Sequence, residues 1–127
     1  MEEKNEVAYW AGFVDADGSI HLSKHMRGYV PTVSVEQKDL DILLKFGRFL
    51  EAKNIKYFIT DRDNRNTYML AVANQQHVYN LLKLLLPFLK VKKRKARAVF
   101  AFCIHRMRNK GKKYDLCDRK LISLSRR

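Results

Sequence analysis

The sequence has few of the features that mark secreted or membrane proteins. It contains only two cysteines, Cys103 and Cys117, which are too few to build a disulfide framework. No apolar run approaches the ~20 residues that a membrane-spanning helix needs. The first residues, MEEKNE, are acidic and lack the basic and apolar regions of a signal peptide. We therefore expect a soluble protein without membrane contact, in a reducing intracellular compartment such as a prokaryotic cytoplasm, mitochondrion or chloroplast.

Negative charge is scarce in the last third of the chain. Residues 90–127 contain 15 Lys or Arg against two Asp, and this excess equals the whole formal net charge of +13. A charge of this sign and size indicates a polyanionic partner. Nucleic acid is favoured over an anionic membrane, because no basic amphipathic helix with an aromatic face stands alone here. Zinc binding by Cys103, His105 and Cys117 is a minor alternative, since a fourth ligand is missing.

The apolar pattern predicts one domain over residues 1–127, with the elements in the order helix, two strands, helix, two strands, helix, helix. The predicted strands are 19–26, 29–37, 55–62 and 66–73. Asp39 and Asn74 stand at N-cap positions, and Pro87 ends the helix that follows Asn74. The fold class is therefore α+β, with a four-stranded antiparallel sheet backed by helices on one face and open to water on the other.

Periodicity also predicts which residues of the helices face the core. Leu40, Leu43, Leu44, Gly47 and Leu50 form the predicted inner face of the second helix. In the last long helix the predicted stripe is Ala96, Val99, Phe100, Cys103, Ile104 and Met107. Residues 108–127 are expected to be a basic extension with a weak helical stripe of Leu116, Leu121 and Leu124.

The stretch Tyr9–Ser19, YWAGFVDADGS, combines three features that need a common explanation. It has helical apolar periodicity, with Val7, Ala11 and Val14 on one face. Small residues recur every four positions at Ala8, Gly12 and Ala16. A glycine within a helix costs about 1 kcal/mol relative to alanine, and close approach of another backbone is the usual reason for one. The helix ends in two carboxylates. The C-terminal end of the helix dipole is already negative and repels them, and a bound cation would offset this repulsion.

WAGFVDADG resembles the LAGLIDADG signature of homing endonucleases and intron maturases, with six of nine residues identical. The resemblance implies an αββαββα domain whose sheet forms a DNA-binding saddle. It further implies a homodimer joined through Ala8, Gly12 and Ala16, since the chain has one motif copy. In such a dimer the Asp17 carboxylate and the Ala16 carbonyl would bind Mg²⁺, a cation that prefers hard oxygen ligands. Asp15 would be structural.

Two more positions match family patterns. Gln37 falls where relatives hold a metal-bound water, and Lys92 corresponds to a lysine near the scissile phosphate. One departure is Asp41, where many relatives carry a second basic residue. The sequence thus indicates a Mg²⁺-dependent endonuclease that cuts both strands of a near-palindromic DNA site and leaves 3′ overhangs. An RNA-binding maturase and a non-cleaving DNA-binding regulator remain alternatives, and intron RNA is a possible partner of the first.

The open face of the predicted sheet supplies the expected DNA contacts. Polar side chains there provide donors and acceptors for reading base edges in the major groove, and the basic residues before the last long helix suit backbone phosphates. The full set of predicted DNA-binding residues is Ser19, His21, Ser23, Lys24, His25, Arg27, Thr32, Ser34, Thr60, Arg62, Thr67, Lys90, Lys93 and Arg94.

Overall fold

The computed structural model describes residues 2–127 and confirms the predicted α+β architecture. The helices are α1 (Glu3–Asp17), α2 (Leu40–Ala52), α3 (Gln75–Leu85), α4 (Lys93–Arg108) and α5 (Leu116–Ser125). The strands are β1 (Gly18–His25), β2 (Gly28–Gln37), β3 (Phe58–Arg62) and β4 (Thr67–Val72). Short 3₁₀ turns occupy Asp63–Arg65 and Leu86–Phe88. Within residues 2–127, none of the helices has the length and apolar content needed to cross a bilayer.

The four strands form one antiparallel sheet in the order β1-β2-β4-β3. The pleat turns Ile20, Val33 and Leu70 toward the helices, where each is about 1% exposed. β4 pairs with β2 only from Val33 onward, so Pro31 lies on a part of β2 bonded to β1 alone. A proline, which has no N–H to donate, is tolerated at such an edge.

The second helix buries a face that is shifted from the predicted one. Leu43, Gly47 and Leu50 face the core as expected, but Leu44 is 39% exposed, and Phe46 and Phe49 are buried in its place. Trp10 of α1 stacks on Phe46 with ring centroids 5.0 Å apart. The large apolar area of these rings outweighs that of one leucine, so the helix is turned toward the aromatic side.

The strand predicted to begin at Ile55 begins at Phe58 instead, because Ile55 belongs to the end of α2. Asn54 adopts a left-handed conformation with φ of 59°. The Ile55 N–H bonds to the Leu50 carbonyl and the Asn54 N–H to the Glu51 carbonyl, at 2.9 and 3.0 Å. These two bonds form a Schellman motif, which satisfies the last carbonyls of the helix. Ile55 is 2% exposed and closes the core under that end of α2.

The C-terminal residues 108–127 include a fifth helix that packs against the rest of the domain. α5 packs along α4 and reaches the β1–β2 hairpin, where the Tyr114 hydroxyl accepts a hydrogen bond from the Tyr29 N–H at 2.9 Å. The predicted stripe of α5 is wrong: Leu116 is 72% exposed and Leu124 is 40% exposed, whereas Asp118 and Ile122 are buried. In α4, Phe102 is fully buried against Tyr114, although the predicted stripe omitted it.

Candidate active site and nucleic-acid interface

Helix α1 has one face in the core and one apolar face in solvent. Val7, Trp10, Ala11 and Val14 are buried, as the periodicity predicted. The opposite face presents the small-residue stripe, in which Ala8 is half-buried and Gly12 and Ala16 are exposed. Apart from its chain neighbours and the backbone of its own helix turns, a Cβ atom added at Gly12 would meet no atom of the described residues within 4 Å. The glycine therefore serves no packing need inside its own chain.

Asp15 holds the end of α1 against the segment that precedes α4. The residue is 9% exposed, and its carboxylate accepts hydrogen bonds from the backbone N–H groups of Lys90 and Val91 at 2.9 Å and of Lys92 at 2.8 Å. Burial alone would raise the pKa of the Asp15 carboxyl, but the backbone donors outweigh burial and the pKa lies below its ordinary value. The geometry gives Asp15 the structural role expected from the motif.

Asp15→Asn is expected to lower the free energy of unfolding by about 2–3 kcal/mol at pH 7, because an amide cannot replace an anion that accepts three partly buried hydrogen bonds. A carboxyl with a lowered pKa stabilises the fold above its unfolded-state pKa, about 3.9, and loses that contribution as pH falls through the folded-state value. The deficit of the variant should therefore shrink below about pH 4.

Urea unfolding of both proteins at several pH values between 7 and 3 measures this difference. Asp39→Asn is a suitable control. Asp39 caps α2 through the Asp41 N–H at 2.9 Å, and asparagine caps a helix equally well. A deficit for Asp15→Asn that stays constant across the pH range would contradict the role of the ionised carboxylate.

The three residues predicted to be catalytic gather around the C-terminal end of α1. The Gln37 side-chain amide, at the end of β2, donates to Asp17 Oδ2 at 3.3 Å. Lys92 precedes the first residue of α4, and its ammonium group donates to the Asp15 main-chain carbonyl at 2.6 Å. Gly18 makes this tight helix-to-strand junction possible, since a Cβ there would lie 2.8 Å from the Val14 carbonyl oxygen.

The donor groups at this junction fit a hard divalent cation. The Asp17 carboxylate is exposed, and within residues 2–127 it forms no ion pair with a basic side chain. The Ala16 carbonyl is one of the last four of the helix, which have no partner within it. Carboxylate and carbonyl oxygens are the ligands that Mg²⁺ accepts, together with several waters. The negative end of the helix dipole also favours a cation here.

The free face of the sheet carries most of the side chains predicted to contact DNA. On β1 and β2 the register pairs Ser19 with Ser34 and His21 with Thr32. Ser23 lies within hydrogen-bond distance of Thr32, with 3.2 Å between the two hydroxyl oxygens. His25, Thr60, Arg62 and Thr67 share this face by strand alternation. Burial, and secondarily the charge of Lys95, lowers the pKa of His21, which favours its neutral form.

Two of the DNA contacts predicted for the first hairpin, Lys24 and Arg27, do not lie on the free face. Strand alternation places Lys24 with Ile20 and Leu22 on the opposite face, beyond the part that the helices cover, and Lys24 remains exposed. Arg27 is exposed in the turn between β1 and β2. Both residues belong to the tip of the hairpin rather than to the free face of the sheet.

The sequence prediction missed Glu36, an acidic residue on the free face. Its carboxylate accepts a hydrogen bond from the Thr67 hydroxyl and lies 3.9 Å from Arg62 and 3.4 Å from Arg65. The Thr67 bond and the two arginines hold the pKa of Glu36 below its ordinary value. Strand alternation on β2, together with the facing basic residues, was the signal that could have identified it.

Lys90, Lys93 and Arg94 line one groove between the start of α4 and the end of α5. Arg97 and Arg127, which the prediction did not include, line the same groove. α5 returns toward the N-terminal end of α4 and therefore brings the last residue of the chain beside residues some 30 positions earlier. The five basic side chains of this groove offer contacts for phosphate groups next to the Asp17 junction.

The comparisons agree on one family. The family described as a LAGLIDADG-like domain matches residues 4–85, which include α1, the whole sheet and α3. The archaeal intron-encoded homing endonuclease I-Vdi141I, solved in complex with DNA, has 25% identity and a TM-score of 0.79 over 98% of this chain and 82% of its own.

The homing endonuclease I-CvuI, solved in complex with its target, has 24% identity and a TM-score of 0.75 over 95% of this chain and 82% of its own. The LAGLIDADG meganuclease I-AabMI, bound to uncleaved DNA, has 17% identity and a TM-score of 0.76, and this chain covers only 43% of it. No curated protein sequence matches. The family match covers most of this chain, and one copy of the motif lies at Trp10–Gly18. The chain therefore belongs to the LAGLIDADG homing endonuclease family.

Proposed function

We propose that the protein is a site-specific DNA endonuclease that acts as a homodimer and hydrolyses phosphodiester bonds with the help of Mg²⁺. One observation carries this proposal. Asp17, the exposed last residue of α1, lies beside Gln37 and Lys92 at the edge of a polar sheet face and a basic groove. Asp17 would hold the metal, Lys92 would stabilise charge, and the polar sheet face would read the bases. All three lie next to one another on one side of the molecule.

The proposed dimer explains why α1 has an apolar face that its own chain leaves exposed. Gly12 and Ala16 leave room for a second helix backbone, and Tyr9, 49% exposed, would gain cover. Joining two copies through this face would bring the two Asp17 carboxylates together. This chain covers 43% of the larger relative I-AabMI, so two copies would match a protein of that size.

In the proposed reaction each residue has a separate task. The Asp17 carboxylate and the Ala16 carbonyl would hold the ion, and the Gln37 amide would fix the orientation of Asp17 and of a water. Bound Mg²⁺ would supply Lewis-acid stabilisation of the phosphate and of the attacking water. The Lys92 ammonium group would stabilise negative charge at the leaving oxygen. The Asp15 carboxylate would hold Lys92 in place by accepting the hydrogen bond from the Lys92 backbone N–H.

Recognition would come from the free sheet face. A two-stranded ribbon such as β1–β2 fits the major groove, where each base pair presents a distinct pattern of donors and acceptors. In a two-fold symmetric dimer each sheet would read one half-site, so the target should be near-palindromic. I-Vdi141I and I-CvuI, whose structures contain DNA, have this fold and support this choice of partner.

The proposal is tested with a pool of palindromic duplexes whose half-sites are randomised. Incubation with Mg²⁺ should release cut fragments of a narrow sequence set with 3′ overhangs, while Ca²⁺ should allow binding of the same set without cutting. A duplex selected by tight binding but never cut with Mg²⁺ would indicate a non-cleaving regulator. Selection of no duplex, alongside tight binding to a structured intron RNA, would indicate a maturase.

A further inference from the structure

A second cluster of metal-ligating side chains lies at the far end of α4. His105, near the end of α4, faces Asp115 and Asp118 at the start of α5, and one ligand atom from each lies within 4.8 Å of the others. His105 is 13 positions beyond Lys92 along the chain. At 1.5 Å per helical residue this places it roughly 20 Å from the Asp17 junction. The cluster is therefore separate from the proposed active site.

The cysteines considered for zinc in the sequence take no part in this cluster. Cys103 is fully buried, and burial raises the pKa of its thiol to about 12, so it remains protonated and unreactive. Cys117 is exposed on α5. Within residues 2–127 the only group of three converging ligands consists of the histidine and the two aspartates.

Asp118 supplies an unsatisfied oxygen that points into the cluster. Its side chain is fully buried, and Oδ2 accepts hydrogen bonds from Arg106 at 3.0 Å and from the Asp115 N–H at 2.9 Å. Oδ1 has no hydrogen-bond partner within residues 2–127. His105 Nε2 lies 3.8 Å from Oδ1, which is too long for a hydrogen bond. A buried acceptor without a partner is costly, and a bound cation would satisfy it.

We propose that His105 Nε2, one Asp115 carboxylate oxygen and Asp118 Oδ1 bind a Zn²⁺ ion that ties α5 to α4. Zinc takes imidazole nitrogen and carboxylate oxygen ligands at about 2.0–2.2 Å, which puts tetrahedral ligands roughly 3.3–3.5 Å apart. His105 Nε2 lies 3.0 Å from Asp115 Oδ2 and 3.8 Å from Asp118 Oδ1, so the two separations bracket the tetrahedral value. All three ligand atoms lie within 4.8 Å of one another. A movement of about an ångström by the exposed Asp115 carboxylate would bring them to the tetrahedral separation.

The surrounding groups suit this ion. Two carboxylates face one imidazole, and the Arg106 guanidinium compensates only one of the two negative charges. Arg106 and the Asp115 N–H orient the Asp118 carboxylate through its other oxygen, as outer partners do at metal sites. The Asp115 side chain is 52% exposed, so the ion can enter from solvent and retain a water as fourth ligand.

The test compares the melting temperature of the full-length protein with and without Zn²⁺, in the Asp17→Asn background so that the proposed active site cannot respond. At free zinc about 100-fold above Kd, the melting temperature should rise by about 8 °C, and Mg²⁺ at the same concentration should not reproduce the rise. Isothermal titration should give one zinc per chain.

Two variants remove ligands without removing the helix. Asp115→Asn preserves the N-cap of α5 but lacks the anionic oxygen, and His105→Gln lacks the imidazole. Both should lose most of the zinc-dependent rise, whereas Cys117→Ser, which changes a neighbouring exposed thiol, should retain it. A wild-type chain that shows no rise would overturn the proposal, and so would a rise of wild-type size in Asp115→Asn or in His105→Gln. Loss of the rise in Cys117→Ser would do so too.

Discussion

Asp17→Asn is expected to reduce the rate of DNA cleavage by at least about 10³-fold while changing the affinity for the target by less than about tenfold. The amide keeps an oxygen for Gln37 but loses the negative charge that would hold the divalent ion beside the scissile phosphate. Binding should persist because the sheet face and the basic groove are unchanged. Affinity without divalent ions should even increase slightly, since one charge repelling the phosphates is gone.

Single-turnover cleavage with Mg²⁺ and equilibrium binding in Ca²⁺ separate these two effects. Asp39→Asn is the matched control: it also removes one exposed carboxylate close to Gln37, and it keeps the cap of α2. This control should cut at the wild-type rate. Cleavage by Asp17→Asn within tenfold of wild type would show that Asp17 does not hold the catalytic ion.

The order of elements could be predicted from the sequence because local signals coincide with tertiary needs. Asp39 and Asn74 cap the helices they were expected to cap, each with its side chain bonded to backbone N–H groups. Val78, Leu81, Leu82 and Leu85 of α3 are all fully buried, as their spacing indicated. In these elements only one face is apolar, so periodicity has a single solution.

Periodicity failed where two apolar faces compete or where the buried residues are polar. The second helix offers both Leu44 and Phe46 to the core, and the choice depends on Trp10, which is more than 30 positions away in the chain. In α5 the most deeply buried side chain is Asp118, stabilised by Arg106 of α4. No apolar pattern within residues 108–127 can indicate a buried ion pair whose partner lies outside that segment.

The candidate site was predictable only because the motif is a long one. Composition and spacing pointed to a cation at the end of α1, and the family resemblance added Gln37 and Lys92. The structure brings these two residues, 20 and 75 positions beyond Asp17, to the same helix end. The contribution of the C-terminal residues Arg97 and Arg127 to the basic groove depends on the return of α5 along α4. Neither the motif nor the charge count contains that information.

Gly12→Leu is expected to convert the proposed homodimer to a monomer and to abolish the proposed cutting of both strands of a palindromic site. Helices that pack through small residues approach closely, and a leucine on each of the two facing backbones would hold them apart. The folded monomer should tolerate the change, because a Cβ at Gly12 meets no atom of the described residues within 4 Å. Replacing a mid-helix glycine should even favour α1 by roughly 0.5–1 kcal/mol.

Loss of the dimer together with an intact fold would distinguish a glycine needed at the interface from one needed inside the fold. Multi-angle light scattering should give the mass of one chain for Gly12→Leu and of two chains for the wild type, and circular dichroism should show the same helix content in both. Lys45→Leu places the same side chain on an exposed position of α2 and should leave the dimer intact. A Gly12→Leu protein that remains dimeric would rule out this face of α1 as the interface. Each Asp17 would then have to act without its copy in the second chain.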